Sequence, residues 1–438
     1  MPEIRPFRGV HYNQSLARDL AALICPPYDI ITPEMQQELY QKSEYNFVRL
    51  ELNRELLQDH DSDNKYSRSA TTLEQWLQQG VLTRDEVPAI YLHDHYFVHQ
   101  GREYRRRGII VAVRLEEQVD EAAVRPHEGT LAAPKSDRLN LLSALKANTS
   151  SIFTLFEDPE HQVKSLLESQ EQGEPMFEIN VGGGERHIMR AITDTGVIRQ
   201  VNHYLAARPL YIADGHHRYE SALNYRRERS ALSLDVSAEE PFNFVMMTLV
   251  DIADPGLIIL PAHRLVRGMS ASTLNGLTDK LKEFFEIEEV PFNLPDVWQR
   301  IDDLLSGGEG QVKLVLFGPE KEKLLILRLR DFAAAEKMMP SFCSDLYKRL
   351  DVSILDHIIL EKLLELTRDK EEASLGYSYN MLDAIKQVLE QQYQLALLLS
   401  PPGAGVIKAI ADAGDRMPRK STYFHPKLPS GLIINRLV

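Results

Sequence analysis

The stretch Leu210-Tyr211-Ile212-Ala213-Asp214-Gly215-His216-His217-Arg218-Tyr219-Glu220-Ser221-Ala222-Leu223 decides how this chain is read. Leu210 to Ala213 is a short apolar run of strand character, and Asp214-Gly215 turns the chain. Tyr219, Ala222 and Leu223 then recur at the spacing of an inward helix face. This order places His216, His217 and Arg218 in the first helical turn, where backbone N–H groups have no acceptor within the helix. Gly215 permits a left-handed backbone or a close approach by a ligand. Helix dipole, N–H donors and cationic side chains together attract an anion, most readily a phosphate. The plainer reading is that the imidazoles cap and pack. Cations at the positive end of a helix are unfavourable unless an anion offsets them, and that favours the binding reading.

The same residues admit a metal reading. His216 and Glu220 stand four apart and can share a cation, but catalytic zinc requires three protein ligands and the local sequence supplies two. Magnesium, held mainly by substrate phosphates and one carboxylate, needs less from the protein, and Asp214 is the expected ligand.

Working outward, Arg125-Pro126-His127-Glu128-Gly129-Thr130 and Pro134-Lys135-Ser136-Asp137-Arg138 crowd acids, bases and cations into one region. His127 and Glu128 are acid/base candidates there, and Lys135 and Arg138 are phosphate-type cations. In Cys25-Pro26-Pro27-Tyr28-Asp29 two prolines stiffen the approach to Asp29, which is either a turn residue or a fixed general base. Thr32-Pro33 follows as N-cap and first residue of a helix. His263-Arg264 repeats the His-Arg pairing further on. Arg419-Lys420-Ser421-Thr422 resembles a phosphate loop only in part, because Arg419 stands where its second glycine belongs and Tyr423-Phe424-His425-Pro426 starts no helix. Glu220, His263, Arg264 and Lys420 are secondary candidates.

Two clusters look like decoys. Asp59, Asp61 and Asp63 imitate a calcium loop but lack its glycine and its closing glutamate. His93, His95 and His99 share one face of a strand, and with no acidic partner nearby in sequence they read as an exposed hairpin face.

Residues 46–52 alternate apolar and polar like a half-buried strand, and residues 66–80 have helical period ending at Gly80. Residues 89–98 with 108–115, and 176–181 with 187–192, read as hairpins. Gly182-Gly183-Gly184 is a turn between strands, since no helix follows it. A second part begins near Ser270. It has helical period over 273–285, strands over 312–317 and 324–329 around Gly307-Gly308-Glu309-Gly310, and helices over 355–366 and 381–393. The tail from Arg416 reads as an ordered segment returning to the body.

The 438 residues are 43% apolar and 26% charged, as in soluble globular proteins, and are long enough for two or three domains. The 64 acidic against 50 basic residues give a net charge of −14, the wrong sign for a nucleic-acid partner. The short arginine runs at 105–107 and 226–229 read as solvated faces. No apolar run approaches the ~18 residues of a membrane span. Two cysteines, Cys25 and Cys343, exclude a disulfide framework, and Met1 to Pro6 lack the order of a signal peptide. The expectation is a cytoplasmic protein without membrane or nucleic-acid partner. Nothing in the pattern sets its oligomeric state.

The chain resembles the bacterial and archaeal proteins of domain of unknown function 1015. The matching segments are Cys25-Pro26-Pro27-Tyr28-Asp29, His127-Glu128 with Pro134 to Arg138, Ala213 to Glu220, Leu260-Pro261-Ala262-His263-Arg264, and Met417 to Leu432. More remotely, Gly215-His216-His217-Arg218 between strand and helix is similar to the phosphate-binding box of the ParB/sulfiredoxin superfamily, Gly-x-(Arg or His)-Arg. His217 and Arg218 match its last two positions. His216 stands where sulfiredoxin has its catalytic cysteine, and the basic DNA-binding helices of the partition proteins have no counterpart, so the free-serine kinases are the members whose chemistry survives. The resemblance implies an α+β fold: a ParB/sulfiredoxin-like mixed core over 1–269, with a β-rich insertion near 85–200, and an α+β C-terminal region over 270–438. It implies a nucleotide-dependent phosphotransferase acting on a small hydroxylated metabolite such as serine, with ATP or ADP and Mg2+. The expected roles are phosphate binding for Gly215, His216, His217, Arg218, Lys135 and Arg138, magnesium for Asp214, and general base for Asp29 or Glu128, with His127 beside it. Two alternatives stand: a nucleotide-binding regulatory protein, and a metal-dependent phosphohydrolase centred on His216, His217 and His127.

Overall fold

The computed structural model describes residues 2–117, 122–232, 237–306, 312–319, 322–366 and 373–438. The protein is mixed α+β, with several sheets. Its internal contacts divide it into two units: Met1–Pro126 with Thr130–Ile258 and Pro426–Val438, and His127–Gly129 with Ile259–His425. No helix among the described residues is long and apolar enough to cross a membrane.

The first unit is built on a nine-stranded mixed sheet. Its strands are β1 (Ile4–Arg5), β2 (Ile90–His99), β3 (Arg102–Arg114), β4 (Val124–Pro126), β5 (Ile152–Phe156), β6 (Phe177–Gly182), β7 (Glu185–Ile192), β8 (Leu210–Asp214) and β9 (Phe244–Asp251). The spatial order is β4-β8-β5-β9-β3-β2-β7-β6, with β1 against β3. The β4–β8 and β5–β9 pairs are parallel, and the other pairs along this path are antiparallel.

Strand alternation assigns the core. Ile109, Val111 and Val113 of β3 join one cluster, and Ile110 and Ala112 join another, so both faces of β3 are buried. That is why Ile109 to Val113 is an unbroken apolar run. Helices α1 (Lys65–Gln78), α2 (Ala132–Leu145), α3 (Thr195–Ala206) and α4 (His216–Ala231) supply the covering layers. Leu73 and Trp76 of α1 pack in one cluster; Val201 and Leu205 of α3, with Tyr219, Ala222 and Leu223 of α4, pack in the other. The two expected hairpins form, with turns at Gln100-Gly101 and Gly183-Gly184.

The second unit carries a six-stranded sheet. Its strands are β10 (His263–Val266), β11 (Phe285–Pro291), β12 (Lys313–Phe317), β13 (Lys323–Leu329), β14 (Leu375–Ser378) and β15 (Leu395–Leu399), in the order β11-β13-β12-β15-β10-β14. Two amphipathic helices, α5 (Val297–Ser306) and α6 (Met381–Leu389), pack Val297, Ile301, Ala384, Ile385 and Val388 into its core. The expected glycine turn at 307–310 lies outside the described residues.

The structure differs from the sequence pattern at four places. Residues 46–52 are not a strand; Val48–Glu51 is a helical turn. Asn46 decides this, because its Oδ1 accepts from Val48 N while its Nδ2 holds the Ala22 and Ile24 carbonyls. The helix expected over 273–285 is broken into Ala271–Asn275 and Leu277–Leu281 at Gly276, and Phe285 already starts β11. Arg106 and Arg107 are buried, not solvated: Arg107 makes a bidentate pair with Asp94, at 2.7 and 2.8 Å. His93 and His95 are likewise buried, because the β6–β7 hairpin pairs with β2 and supplies the neighbours that their own segment lacks.

Candidate functional site

The strand–turn–helix unit is formed by β8, Gly215 and α4. Gly215 sits at φ +97°, where a side chain is strained, and a Cβ there would lie 2.9 Å from Arg218 Nε and Nη2. The glycine therefore lets Arg218 fold back over the turn. Its Nη2 donates to Asp214 Oδ2 at 2.8 Å and its Nη1 to the Ser151 carbonyl on the neighbouring strand segment at 2.6 Å. The first intrahelical bond of α4 runs from Tyr219 N to Gly215 O at 3.0 Å.

A residue that the sequence reading did not select completes this turn. Lys427, in the tail segment of the first unit, pairs through Nζ with Asp214 Oδ1 and stands 4.0 Å from Asp29 Oδ2. Burial alone would raise the Asp214 carboxyl, but Lys427 and Arg218 outweigh it and hold the group well below the usual carboxylate range. Burial would lower the Lys427 ammonium; Asp214 and Asp29 reverse that and push it up. Asp214 thus shares its two oxygens between two cations. A magnesium ion at that carboxylate would have to displace one of them, so the donor set offers no open position there.

Beside Arg218 lies a small cleft of about 40 Å³, lined by Glu51, Arg138, Asn148 and Ser221 together with the apolar Leu141, Leu142, Ile152 and Val245. Arg138 stacks over the Tyr28 ring at 4.0 Å, donates to the Glu51 carbonyl at 3.0 Å and pairs with Asp137. Burial raises the Tyr28 hydroxyl to about 12, partly offset by Arg138 and Arg218. Glu51 is fully buried; its Oε1 accepts from Ser150 Oγ at 3.2 Å, and among the described residues its Oε2 has no hydrogen-bond partner.

The remaining expected residues fall into two groups. In the first unit, His216 is buried in the opening turn of α4, and His217 Nε2 accepts from Leu131 N at 3.0 Å. Lys135 pairs with Glu220 at 2.8 Å, and Thr130 Oγ1 donates to the same carboxylate at 2.7 Å. In the second unit, His127 and Glu128 both meet Thr422 Oγ1, at 3.2 and 3.4 Å. Arg264 is fully buried and donates to the carbonyls of Ala262, Lys420 and Arg419, beside Asp356. His263 Nδ1 accepts from Leu399 N at 3.3 Å, and burial lowers its imidazole to about 4. The site of the first unit therefore gathers Asp29, Asp214, the opening of α4 and Lys427.

The fold and this turn define a mixed α+β protein with a charged strand-to-helix junction. The chain belongs to the family of proteins of unknown function DUF1015, whose model matches residues 4–353. No curated protein matches it. Among solved structures, a free serine kinase in complex with AMP is similar at 14% identity, over 73% of this chain and 95% of that one, with a TM-score of 0.34. A variant of a free serine kinase in complex with ADP gives 11% identity, the same coverages and a TM-score of 0.35. SbnI from Staphylococcus aureus, truncated at its C-terminus, gives 9% identity over 74% of this chain and 87% of its own, at a TM-score of 0.31. Overlap this loose defines neither fold nor function.

Proposed function

We propose that this protein is a cytoplasmic, nucleotide-dependent phosphotransferase acting on a small hydroxylated metabolite such as serine, with ATP or ADP as the nucleotide. In this reading the first unit has a ParB/sulfiredoxin-like core. The observation that carries the proposal is the junction itself: a glycine-initiated helix start with Arg218 and Lys427 sharing the carboxylate of Asp214, beside a small cleft of mixed polar and apolar lining. Asp214 has the role of orienting two cations toward the helix start. Phosphates placed there meet the backbone N–H groups of His216 to Arg218 together with the Arg218 and Lys427 side chains. Phosphoryl transfer needs mainly such positioning and charge neutralisation.

Asp29, exposed and 4.0 Å from Lys427, is assigned as the base. The acceptor oxygen attacks the terminal phosphorus and gives its proton to Asp29, while the bond from that phosphorus to the nucleotide breaks. The nucleotide leaves one phosphate shorter. Magnesium bound to the nucleotide would neutralise further charge on the phosphates. The test is phosphate transfer by the purified chain supplied with ATP or ADP, magnesium and hydroxylated amino acids. Product formation lost in Asp29→Asn, with nucleotide affinity retained, supports the proposal. Nucleotide binding without any transfer favours a regulatory protein instead.

A further inference from the structure

Outside the phosphate junction, the first unit buries a second constellation, on three adjacent strands. His187 of β7 is in register with His95 of β2, and His95 is in register with Arg106 of β3. Side chains in one such row share a face of the sheet. His93 and Glu185 lie two residues from His95 and His187 on their strands, and so join the same face. His95 and His187 are fully buried, while the Glu185 side chain is 33% exposed and forms the rim.

The polar atoms converge. Glu185 Oε1 lies 2.9 Å from His95 Nε2 and at an ion-pair spacing of 3.4 Å from His187 Nε2, which makes no hydrogen bond among the described residues. On the far side of its ring, His187 Nδ1 meets His93 Nε2 at 3.1 Å. Among the described residues, His95, Glu185 and His187 form the one group of three or more His, Cys, Asp or Glu whose ligand atoms all lie within 4.8 Å of one another.

We infer that His95 Nε2, His187 Nε2 and the Glu185 carboxylate form a site for a divalent transition-metal ion of the zinc class, separate from the phosphate junction. Two ligands on a tetrahedral zinc with bonds of roughly 2.05 Å stand ~3.3 Å apart, and both spacings about Glu185 lie near that value. Two imidazoles and a carboxylate suit zinc and its neighbours better than magnesium or calcium. The contact to His93 is the kind that orients a metal-bound imidazole: with Nδ1–H given to His93, Nε2 of His187 presents its lone pair to the site beside Glu185.

Arg106 adds a constraint. Its Nη2 donates to His95 Nδ1 at 3.0 Å and to the Pro426 carbonyl at 2.7 Å. A guanidinium can only donate, so His95 carries its proton on Nε2 and shares it with Glu185. Metal binding at Nε2 requires that proton to move to Nδ1, and Arg106 then turns from the ring to the Pro426 carbonyl that it already meets. The site therefore takes up one ion with the His95 ring still neutral and without net proton release.

The test is calorimetric titration of the metal-free full-length protein with Zn2+ in buffers of different ionisation enthalpy. The expected result is one Zn2+ per chain, with a heat that does not change with the buffer because no proton is released. Affinity falls at least ~10-fold in Glu185→Gln, a rim substitution whose folding is checked by circular dichroism, and stays unchanged in His203→Ala, an exposed histidine of α3. His187→Gln removes the second ligand. Absence of stoichiometric zinc, or zinc binding that both ligand variants leave intact, overturns the inference.

Discussion

The Asp214–Lys427 pair gives the sharpest test of how the junction is held. The perturbations are Lys427→Met, Asp214→Asn and the two combined, as a double-mutant cycle. The Lys427 side chain is only 10% exposed and that of Asp214 19%, so the pair is poorly screened by water. Breaking a buried pair by removing one partner costs up to 3–5 kcal/mol, but Arg218 remains on Asp214 Oδ2 and keeps the carboxylate from being stranded. That argues for a value below this range, a coupling of about 2–3 kcal/mol. Urea unfolding read from Trp76, which lies in the first unit, in a Trp298→Phe background measures it without interference from the second unit.

The pH dependence has a definite sign. Asp214 is depressed, so its contribution is present above the ordinary carboxyl pKa of about 3.9 and is lost as pH falls through its lower folded value. Lys427 is raised, so its contribution is present below about 10.4 and is lost only as pH climbs through its higher folded value. Between about pH 5 and 9 the coupling is therefore flat. A coupling below ~0.5 kcal/mol, the size seen for exposed pairs, would refute the reasoning.

Other outcomes follow from the same geometry. Gly215→Ala places a side chain at φ +97° and against the Arg218 guanidinium, so it costs about 1–3 kcal/mol in unfolding free energy and weakens nucleotide binding together. Unchanged nucleotide affinity in that variant separates Arg218 from the ligand. In the second unit, burial raises the Asp351 carboxyl to about 7, with Lys313 offsetting only part of it. The unfolded carboxyl ionises near 3.9, so that unit loses stability as pH rises from about 4 to 7, by up to ~1.4 kcal/mol per pH unit. Asp351→Asn flattens that slope, read from Trp298 fluorescence in a Trp76→Phe background.

What was legible in the sequence was local. Leu210 to Leu223 declares strand, turn and helix through an apolar run, a glycine and a helix-spaced stripe, and the structure forms these elements there. Thr32 likewise caps the helix that Pro33 opens, accepting from Met35 N at 3.2 Å. What escaped was long-range. Lys427 meets Asp214 across 213 positions, and no period or propensity links them. The histidines of β2 read as exposed because Glu185 and His187 reach them only through strand pairing. Residues 46–52 escape the pattern because one side chain, Asn46, outweighs a seven-residue alternation by accepting from Val48 N and holding the Ala22 and Ile24 carbonyls.

The central claim is that the opening of α4, with Arg218 and Lys427, holds phosphate. A crystal structure of the full-length protein grown with magnesium and a non-hydrolysable ATP analogue tests it most directly. The account predicts phosphate oxygens within hydrogen-bonding distance of the His217 or Arg218 backbone N–H and of the Lys427 ammonium. A nucleotide bound elsewhere, with Asp214, Arg218 and Lys427 still closed on one another, would contradict it.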